Sequence, residues 1–273
     1  MSDQAQSRSR IRSLLSEQGH QPNQNYGQNF LAEPELVADI VSIGAVDGRK
    51  VVEVGAGTGT MTRELADRAS RVIAIEIDRH LIPVLETETA MLENVDVVCA
   101  DAAAVDFDVM LPGDDWVMVA NLPYNVGTGI VLDTLRNARN VNRFVVMVQK
   151  EVGERFLAGP GSKVYGVPSV IVGLHADGRI ARRVPRHVFE PAPSVDSVVV
   201  VLDRVEAPAE VERAILLAQA GFGQRRKMLR RSLATVVDDP TAMLDAAGID
   251  GTRRAEELTP SDYVDLARQG ERE

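Results

Sequence analysis

A chain of 273 residues, 45% of them hydrophobic, can hold one large α/β domain plus a small satellite, and none of its apolar runs approaches the roughly 20 residues of a membrane span. The N-terminus lacks the apolar stretch of a secretory signal, Cys99 is the single cysteine, and His20, His80, His175 and His187 offer no pair at ligand spacing. A soluble cytoplasmic protein is expected, and no metal site is indicated. The net charge of -10 argues against loose binding to nucleic acid, yet three short windows hold 12 of the 30 Lys and Arg residues. They are Arg8 to Arg12, Arg179 to Arg186 and Arg225 to Arg231. Taken singly such runs are solvated faces; together they allow an electropositive face on an acidic body.

In chain order, Lys50 to Val54 and Arg71 to Ile77 read as strands, with a helix over Thr60 to Ala69 between them, which makes a βαβ unit. Further strands are predicted at Val95 to Cys99, Trp116 to Ala120, Phe144 to Val148, Val167 to Val172 and Val198 to Leu202. The alternation predicts a mostly parallel, doubly wound sheet. The last two runs have no long helix between them, so they are expected to close one edge as an antiparallel pair. Beyond Arg204 a helical segment over Glu210 to Leu233 and shorter ones ending near Gln269 form a small helical domain. The predicted division is residues 1–204 and 205–273.

The loop Glu53-Val54-Gly55-Ala56-Gly57-Thr58-Gly59 leaves a buried strand and opens a helix, so Gly55, Gly57 and Gly59 mark a site for a nucleotide-like cofactor. A dinucleotide fingerprint wants its third glycine where this chain has Thr60, and that spacing favours a methyltransferase. Glu76, ending the next strand, can accept from ribose hydroxyls in either class, and Asp101 can accept from an adenine amine or simply form a turn. On the loop alone both cofactor classes stay open.

Asn121-Leu122-Pro123-Tyr124 follows the fourth strand at the carboxyl edge, where ligands of open α/β sheets bind. An adenine N6 amine that attacks a sulfonium methyl needs acceptors for its hydrogens as positive charge develops. The Asn121 side-chain oxygen and the Leu122 carbonyl can supply two, Pro123 fixes the backbone, and Tyr124 offers a ring on which a base stacks. Phe189, in Phe189-Glu190-Pro191-Ala192-Pro193, is the candidate for the second face of that base. A target base must leave its stack to enter such a pocket, which suits exposed or single-stranded RNA.

With these pieces placed, the chain resembles the bacterial small-subunit ribosomal RNA adenine dimethyltransferases nearly end to end. The resemblance rests on Gln28-Asn29-Phe30-Leu31, Asn121 to Asn125, Phe189 to Ser197, and Phe222-Gly223-Gln224-Arg225-Arg226-Lys227 with Leu229, Ser232 and Leu233, which looks like the family's basic helix. It implies a class I S-adenosylmethionine-dependent fold: a Rossmann-like, mostly parallel seven-stranded sheet with a closing antiparallel edge pair and a small α-helical C-terminal domain. It further implies cofactor contacts from Asn29, Leu31, Gly55, Glu76, Asp101 and Asn121, and dimethylation of two adjacent adenines near the 3′ end of small-subunit RNA. Arg182, Arg183, Arg186, Arg225, Arg226, Lys227 and Arg230 are the expected RNA contacts, and the acidic net charge predicts a monomer that prefers a preassembled small-subunit particle. A related family that methylates large-subunit RNA and confers macrolide resistance shares the glycine loop and an Asn-x-Pro-Tyr motif; a non-catalytic assembly factor and an NAD-dependent oxidoreductase are the readings from other classes. Two positions depart from the family pattern: Asn23 to Tyr26 replaces a Lys/Arg cluster, and Gly127 stands where a hydroxyl residue is common.

Overall fold

β-branched residues supply the strands of the sheet, and their burial explains the sheet's parallel centre. In the computed structural model, which describes residues 6–23 and 26–269, the chain runs α1 (Arg8–Glu17), β1 (Phe30–Leu31), α2 (Pro34–Gly44), β2 (Lys50–Val54), α3 (Thr60–Ala66), β3 (Arg71–Glu76), α4 (Ile82–Thr89) and β4 (Val95–Cys99). It continues through α5 (Phe107–Met110), β5 (Trp116–Asn121), α6 (Gly127–Asn137), β6 (Val141–Gln149), α7 (Lys150–Phe156), α8 (Val167–His175), β7 (Ala176–Val184), β8 (Phe189–Glu190) and β9 (Ser197–Arg204). The remaining helices are α9 (Val211–Gly223), α10 (Leu229–Ser232), α11 (Pro240–Ala246) and α12 (Pro260–Arg268).

Seven strands form one sheet in the order β4-β3-β2-β5-β6-β9-β7, and β1 pairs with β8 in a separate two-stranded ribbon. β2 lies between β3 and β5, all parallel, with Val54 opposite both Ile75 and Ala120. Its residues from Val51 to Val54 are buried, as a strand covered on both faces requires. β6 pairs with β9 antiparallel, Val146 opposite Val200. The order reverses at β2, so the crevice at the carboxyl ends of β2 and β5 is the ligand-binding position of such a sheet. The core beneath it joins Val37, Ile40 and Val41 of α2 to Val117, Val119, Val145 and Val201 of the sheet.

Two elements differ from the sequence prediction. Val167 to Val172 is helical: Pro168 occupies the first turn of α8, and Val170, Ile171, Val172 and Leu174 are all buried. A short apolar run fits a buried helix as well as a buried strand, and proline at a helix start is the feature that separates them. The seventh strand is instead β7, whose exposed polar residues and Arg179, Arg182 and Arg183 disguise it; it ends the strand order, where charge on an edge is expected. The predicted helix over Glu210 to Leu233 is broken, because α9 stops at Gly223 and Gln224 to Arg226 form a turn before α10. The Arg225 to Arg231 basic helix is therefore a turn followed by one short helix.

The chain separates into two compact units. One comprises the described residues up to Gly153 together with Arg179–Arg204; the other comprises Glu154–Gly178 and the described residues from Val205 onward. The second unit includes Glu154–Gly178, which falls within the range 1–204 predicted as the first domain. In that unit Tyr165 donates to the Leu258 carbonyl at 2.8 Å and Tyr263 to the Ala255 carbonyl at 2.9 Å, both from buried rings. No helix among the described residues is long and apolar enough to cross a membrane.

Candidate active site

The glycine loop turns because Gly55 and Gly57 hold φ of 80° and 59°, a region that side chains rarely adopt. Each also makes room. A Cβ on Gly55 would lie 3.1 Å from the Asn121 carbonyl oxygen, and one on Gly57 would lie 3.1 Å from the Phe30 ring. Gly59, at φ 84°, precedes the first turn of α3. The loop is pinned from below by Glu76, which accepts from the Gly57 N–H at 2.7 Å and the Asp78 N–H at 2.9 Å. Burial raises the Glu76 pKa against the lowering effect of those two hydrogen bonds. Glu76 thus props the loop with one hydrogen bond to each carboxylate oxygen. Asp101 is exposed and accepts from the Ala103 N–H at 2.9 Å, which makes it a turn former in this arrangement.

Asn121 ends β5, directly beside the loop. Its Nδ2 donates to the Asn29 carbonyl at 3.0 Å, which leaves Oδ1 as an acceptor. The Leu122 N–H donates to the Met147 carbonyl at 3.2 Å, while no hydrogen bond to the Leu122 carbonyl occurs among the described residues. The Pro123 carbonyl accepts from Val126 and from Gly127, the latter at 2.8 Å, and so starts α6. Asn121 lines a small cavity, whereas Leu122 is buried and lines neither that cavity nor the larger one beside Tyr124. Tyr124 is half-buried, its hydroxyl 2.8 Å from Ser197 Oγ, and burial raises its pKa.

Two cavities meet these residues. A small one of about 30 Å³ is lined by Phe30, Leu31, Glu53, Gly55, Gly57, Thr58 and Asn121 among others. A larger one of about 890 Å³ is lined by Gly27, Gln28, Asn29, Tyr124, Asn125 and the segment Glu190 to Ser194. Two chain segments serve both: Leu31 and Asn121 line the small cavity, and Asn29 and Tyr124 line the large one. The small cavity contains an orphan. Glu53 is 1% exposed and its Oε2 has no hydrogen-bond partner, and burial, with the Glu76 charge adding to it, pushes its pKa up to about 8. The nearby Thr62 hydroxyl lowers that pKa in part, yet Oε2 itself makes no hydrogen bond.

Phe189 is a correction to the sequence reading. It is 1% exposed, sits opposite Leu31 in the β1–β8 ribbon and packs in the core with Val188 and Val199, so its ring lines neither cavity. The residues that follow it, Glu190 to Ser194, form the wall instead.

A ribosomal RNA adenine dimethylase model matches residues 19–270. The chain belongs to that family. A protein of Leifsonia xyli subsp. xyli named ribosomal RNA small subunit methyltransferase A is 43% identical over 270 residues, covering 94% of this chain and 95% of the relative. One of the same name from Magnetococcus marinus is 39% identical over 265 residues, covering 94% and 95%. Among solved structures, a dimethyladenosine transferase from Plasmodium falciparum superposes with TM-score 0.75 at 24% identity, over 87% of this chain and 95% of that one. The 23S rRNA methyltransferase ErmE superposes with TM-score 0.69 at 26% identity, over 88% and 99%. The class I methyltransferase fold is shared with both.

For a member of the rRNA adenine dimethylase family, the basic residues divide into two kinds. Arg182 is paired with Asp39, and Arg225 with Glu256 at 2.6 Å, while Arg186 turns its side chain to the Ser194 carbonyl at 3.4 Å. Arg183, Arg226, Lys227 and Arg230 are exposed and make no ion pair among the described residues. Sequence reasoning missed Gln6, Glu53 and Glu190 at the site. α1 was legible from its Ser7 cap and the spacing of Ile11, Leu14 and Leu15, but the arginines between them drew attention to charge.

Proposed function

We propose that the chain uses S-adenosylmethionine to dimethylate the N6 amines of two adjacent adenines near the 3′ end of small-subunit ribosomal RNA. The observation that carries this is the Asn121 to Asn29 hydrogen bond, which fixes one acceptor at the place where the residues lining both cavities converge. The small cavity fits a cationic cofactor by its donor set: an unpartnered buried carboxyl at Glu53, side-chain-free glycines, and the Asn121 carbonyl 3.1 Å from the position Gly55 leaves bare. Bound there, the cofactor supplies an electrophilic methyl on a sulfonium, a leaving group good enough that no strong base is required.

This chain's residues do the rest. Tyr124 gives the extruded adenine a stacking face, with its ring held by the Ser197 contact. Asn121 Oδ1 and the Leu122 carbonyl accept the two N6 hydrogens as nitrogen takes up positive charge, and their fixed positions avoid reorganisation at that moment. Asn121 Oδ1 and the Leu122 carbonyl hold N6 in line with the methyl that a bound cofactor would supply to its lone pair, the C–S electron pair being retained by that cofactor and the surplus N6 proton passing to water. A second round needs one acceptor and room for the first methyl, and the cavity of about 890 Å³ gives that room. The relatives named as small-subunit enzymes favour this substrate over large-subunit RNA. The net charge of -10 favours a preassembled particle over free RNA; the chain acts on it as a cytoplasmic monomer.

The test is transfer of labelled methyl to small-subunit particles lacking the modification, with wild type and Asn121→Ala in parallel and the product nucleoside identified by mass. Dimethyladenosine from wild type, reduced about 100-fold or more in the variant, is expected. Cofactor binding without transfer by wild type would move the reading to a non-catalytic assembly factor.

A further inference from the structure

The helix α1 bridges two parts of the site that the chain order keeps far apart. Just before its first turn, the buried Gln6 donates to the Thr58 carbonyl at 2.7 Å, and its Oε1 accepts from the hydroxyls of Thr58 at 2.7 Å and Thr60 at 2.9 Å. Both threonines line the small cavity. Two residues further on, Arg8 donates to the His187 carbonyl at 2.6 Å, the Phe189 carbonyl at 2.9 Å and Glu190 Oε2 at 2.6 Å. Arg12, four residues later on the same helix face, grips both Glu190 oxygens at 3.0 and 2.9 Å. Glu190 begins the wall of the large cavity, and the two guanidiniums hold its carboxyl below the usual range. Ile11 and Leu15 seat the helix on Phe30 and Leu81, with Phe30 packed against Gly57.

Isolated exposed ion pairs contribute little to stability, which makes this clamp unusual. It directs two arginines and five hydrogen bonds at one short segment, and Arg8 takes two main-chain carbonyls as well as the carboxylate. Charge-assisted bonds of this kind fix position more than they add stability. Phe30 and Leu31 line the small cavity opposite Gly55, Gly57, Thr58 and Thr60 of the glycine loop, so the segment on which α1 is seated forms one side of it. α1 thus touches Phe30 of the small cavity on one side and, through Arg8 and Arg12, the segment His187 to Glu190 at the large cavity on the other.

We propose that Glu190, gripped by Arg8 and Arg12, is a positioning residue for the target-base wall, and that α1 couples this wall to the cofactor loop through Gln6. The inference rests on the functional reading above. It predicts a cross-effect between sites that share no ligand contact, which is what coupling means thermodynamically.

The experiment compares wild type, Glu190→Gln, Arg12→Gln, Glu190→Asp and Gln6→Ala for the KM and kcat of particle methylation at saturating S-adenosylmethionine. Cofactor Kd is measured by calorimetry without RNA, and thermal unfolding serves as the control. Glu190→Gln and Arg12→Gln are expected to raise KM for particles about 5- to 10-fold with cofactor Kd within twofold of wild type, and Glu190→Asp to recover part of the loss. Gln6→Ala is expected to weaken the cofactor and also to raise the particle KM about threefold, although Gln6 lines neither side of the base cavity. An unchanged particle KM in both Glu190→Gln and Arg12→Gln, or an effect of Gln6→Ala confined to the cofactor Kd, would overturn the proposal. Two variants that remove opposite charges from one ion pair, one of them at the exposed Arg12, guard against a result caused by misfolding of one. A wild type that transfers no methyl to adenine overturns the functional reading itself; an active wild type with unaltered variants overturns only the coupling.

Discussion

A Cβ added to Gly127 would lie 2.9 Å from Leu122 Cβ, closer than packed atoms tolerate. Leu122 is 2% exposed and cannot retreat, and Gly127 also donates its N–H to the Pro123 carbonyl. The absence of a side chain therefore lets α6 begin directly against the reaction loop. Gly127→Ala, and equally Gly127→Ser, should displace the Leu122 carbonyl from the N6 hydrogens. Overpacking of this size costs about 1–3 kcal/mol of stability unless the loop shifts; a Leu122 carbonyl moved off the N6 hydrogens should lower kcat roughly tenfold or more while cofactor affinity holds. Steady-state kinetics with a cofactor titration checks this; wild-type kcat in Gly127→Ser would show that the loop yields.

Tyr124 combines two contributions that substitution can separate. Its hydroxyl lies 2.8 Å from Ser197 Oγ at the start of β9, and its ring lines the large cavity. Removing only the hydroxyl, as in Tyr124→Phe, forfeits about 1 kcal/mol of positioning. Removing the ring, as in Tyr124→Ala, forfeits about 1–3 kcal/mol of stacking as well. Tyr124→Phe should lose about fivefold in kcat/KM, and Tyr124→Ala about 5- to 150-fold more. Equal losses would place the role of Tyr124 in the hydroxyl.

How much of this was legible in sequence follows from which signals are local. The glycine loop, β4 and the Asn121 to Tyr124 stretch were placed correctly because turn chemistry and β-branched runs act over a few residues. Val167 to Val172 misled because a buried apolar run carries no period, and β7 was hidden because an edge strand with arginines reads as a charged patch. Phe189 was misplaced for a different reason. Its neighbours mark a ligand loop, but whether an aromatic ring turns to the cavity or to the core is decided by its pairing with Leu31, more than 150 positions earlier. Glu190 was invisible for the same reason: its partners lie on α1.

The exposed basic residues should differ in their effect on RNA binding according to their present partners. Arg226 and Lys227 are exposed and unpaired among the described residues, whereas Arg225 spends its charge on Glu256 at 2.6 Å. An unpaired cation that meets a phosphate releases a counterion, and one already neutralised releases less. Arg226→Ala and Lys227→Ala should each reduce the slope of log K against log salt by about 0.7–0.9, and Arg225→Ala by clearly less. Binding of small-subunit RNA measured across a salt series reads these slopes. Identical slopes in all three variants would mean that the Glu256 pair opens on binding.

Glu53 makes stability depend on pH, with a definite sign. Its pKa is pushed from 4.5 up to about 8, first by burial and then by the nearby Glu76 charge, so the folded chain keeps a proton that the unfolded chain gives up above its ordinary value. The folded state then binds more protons between about pH 4.5 and pH 8, and stability falls as pH rises through that window. The contribution is fully present below the unfolded pKa and gone above the folded one. Glu53→Gln keeps the volume and has nothing to titrate. Thermal unfolding of the two proteins should therefore diverge as pH is raised from 5 to 8, wild type losing at most about 1.4 kcal/mol per pH unit relative to the variant, with the gap constant at higher pH. Parallel curves would mean that Glu53 is ionised in the folded protein at neutral pH and that some other group supplies the donor it lacks. A saturating cofactor offers a second check on the same carboxyl: a cationic amine placed beside Glu53 favours its ionised form, so cofactor binding should release a proton near pH 7 in wild type and none in Glu53→Gln.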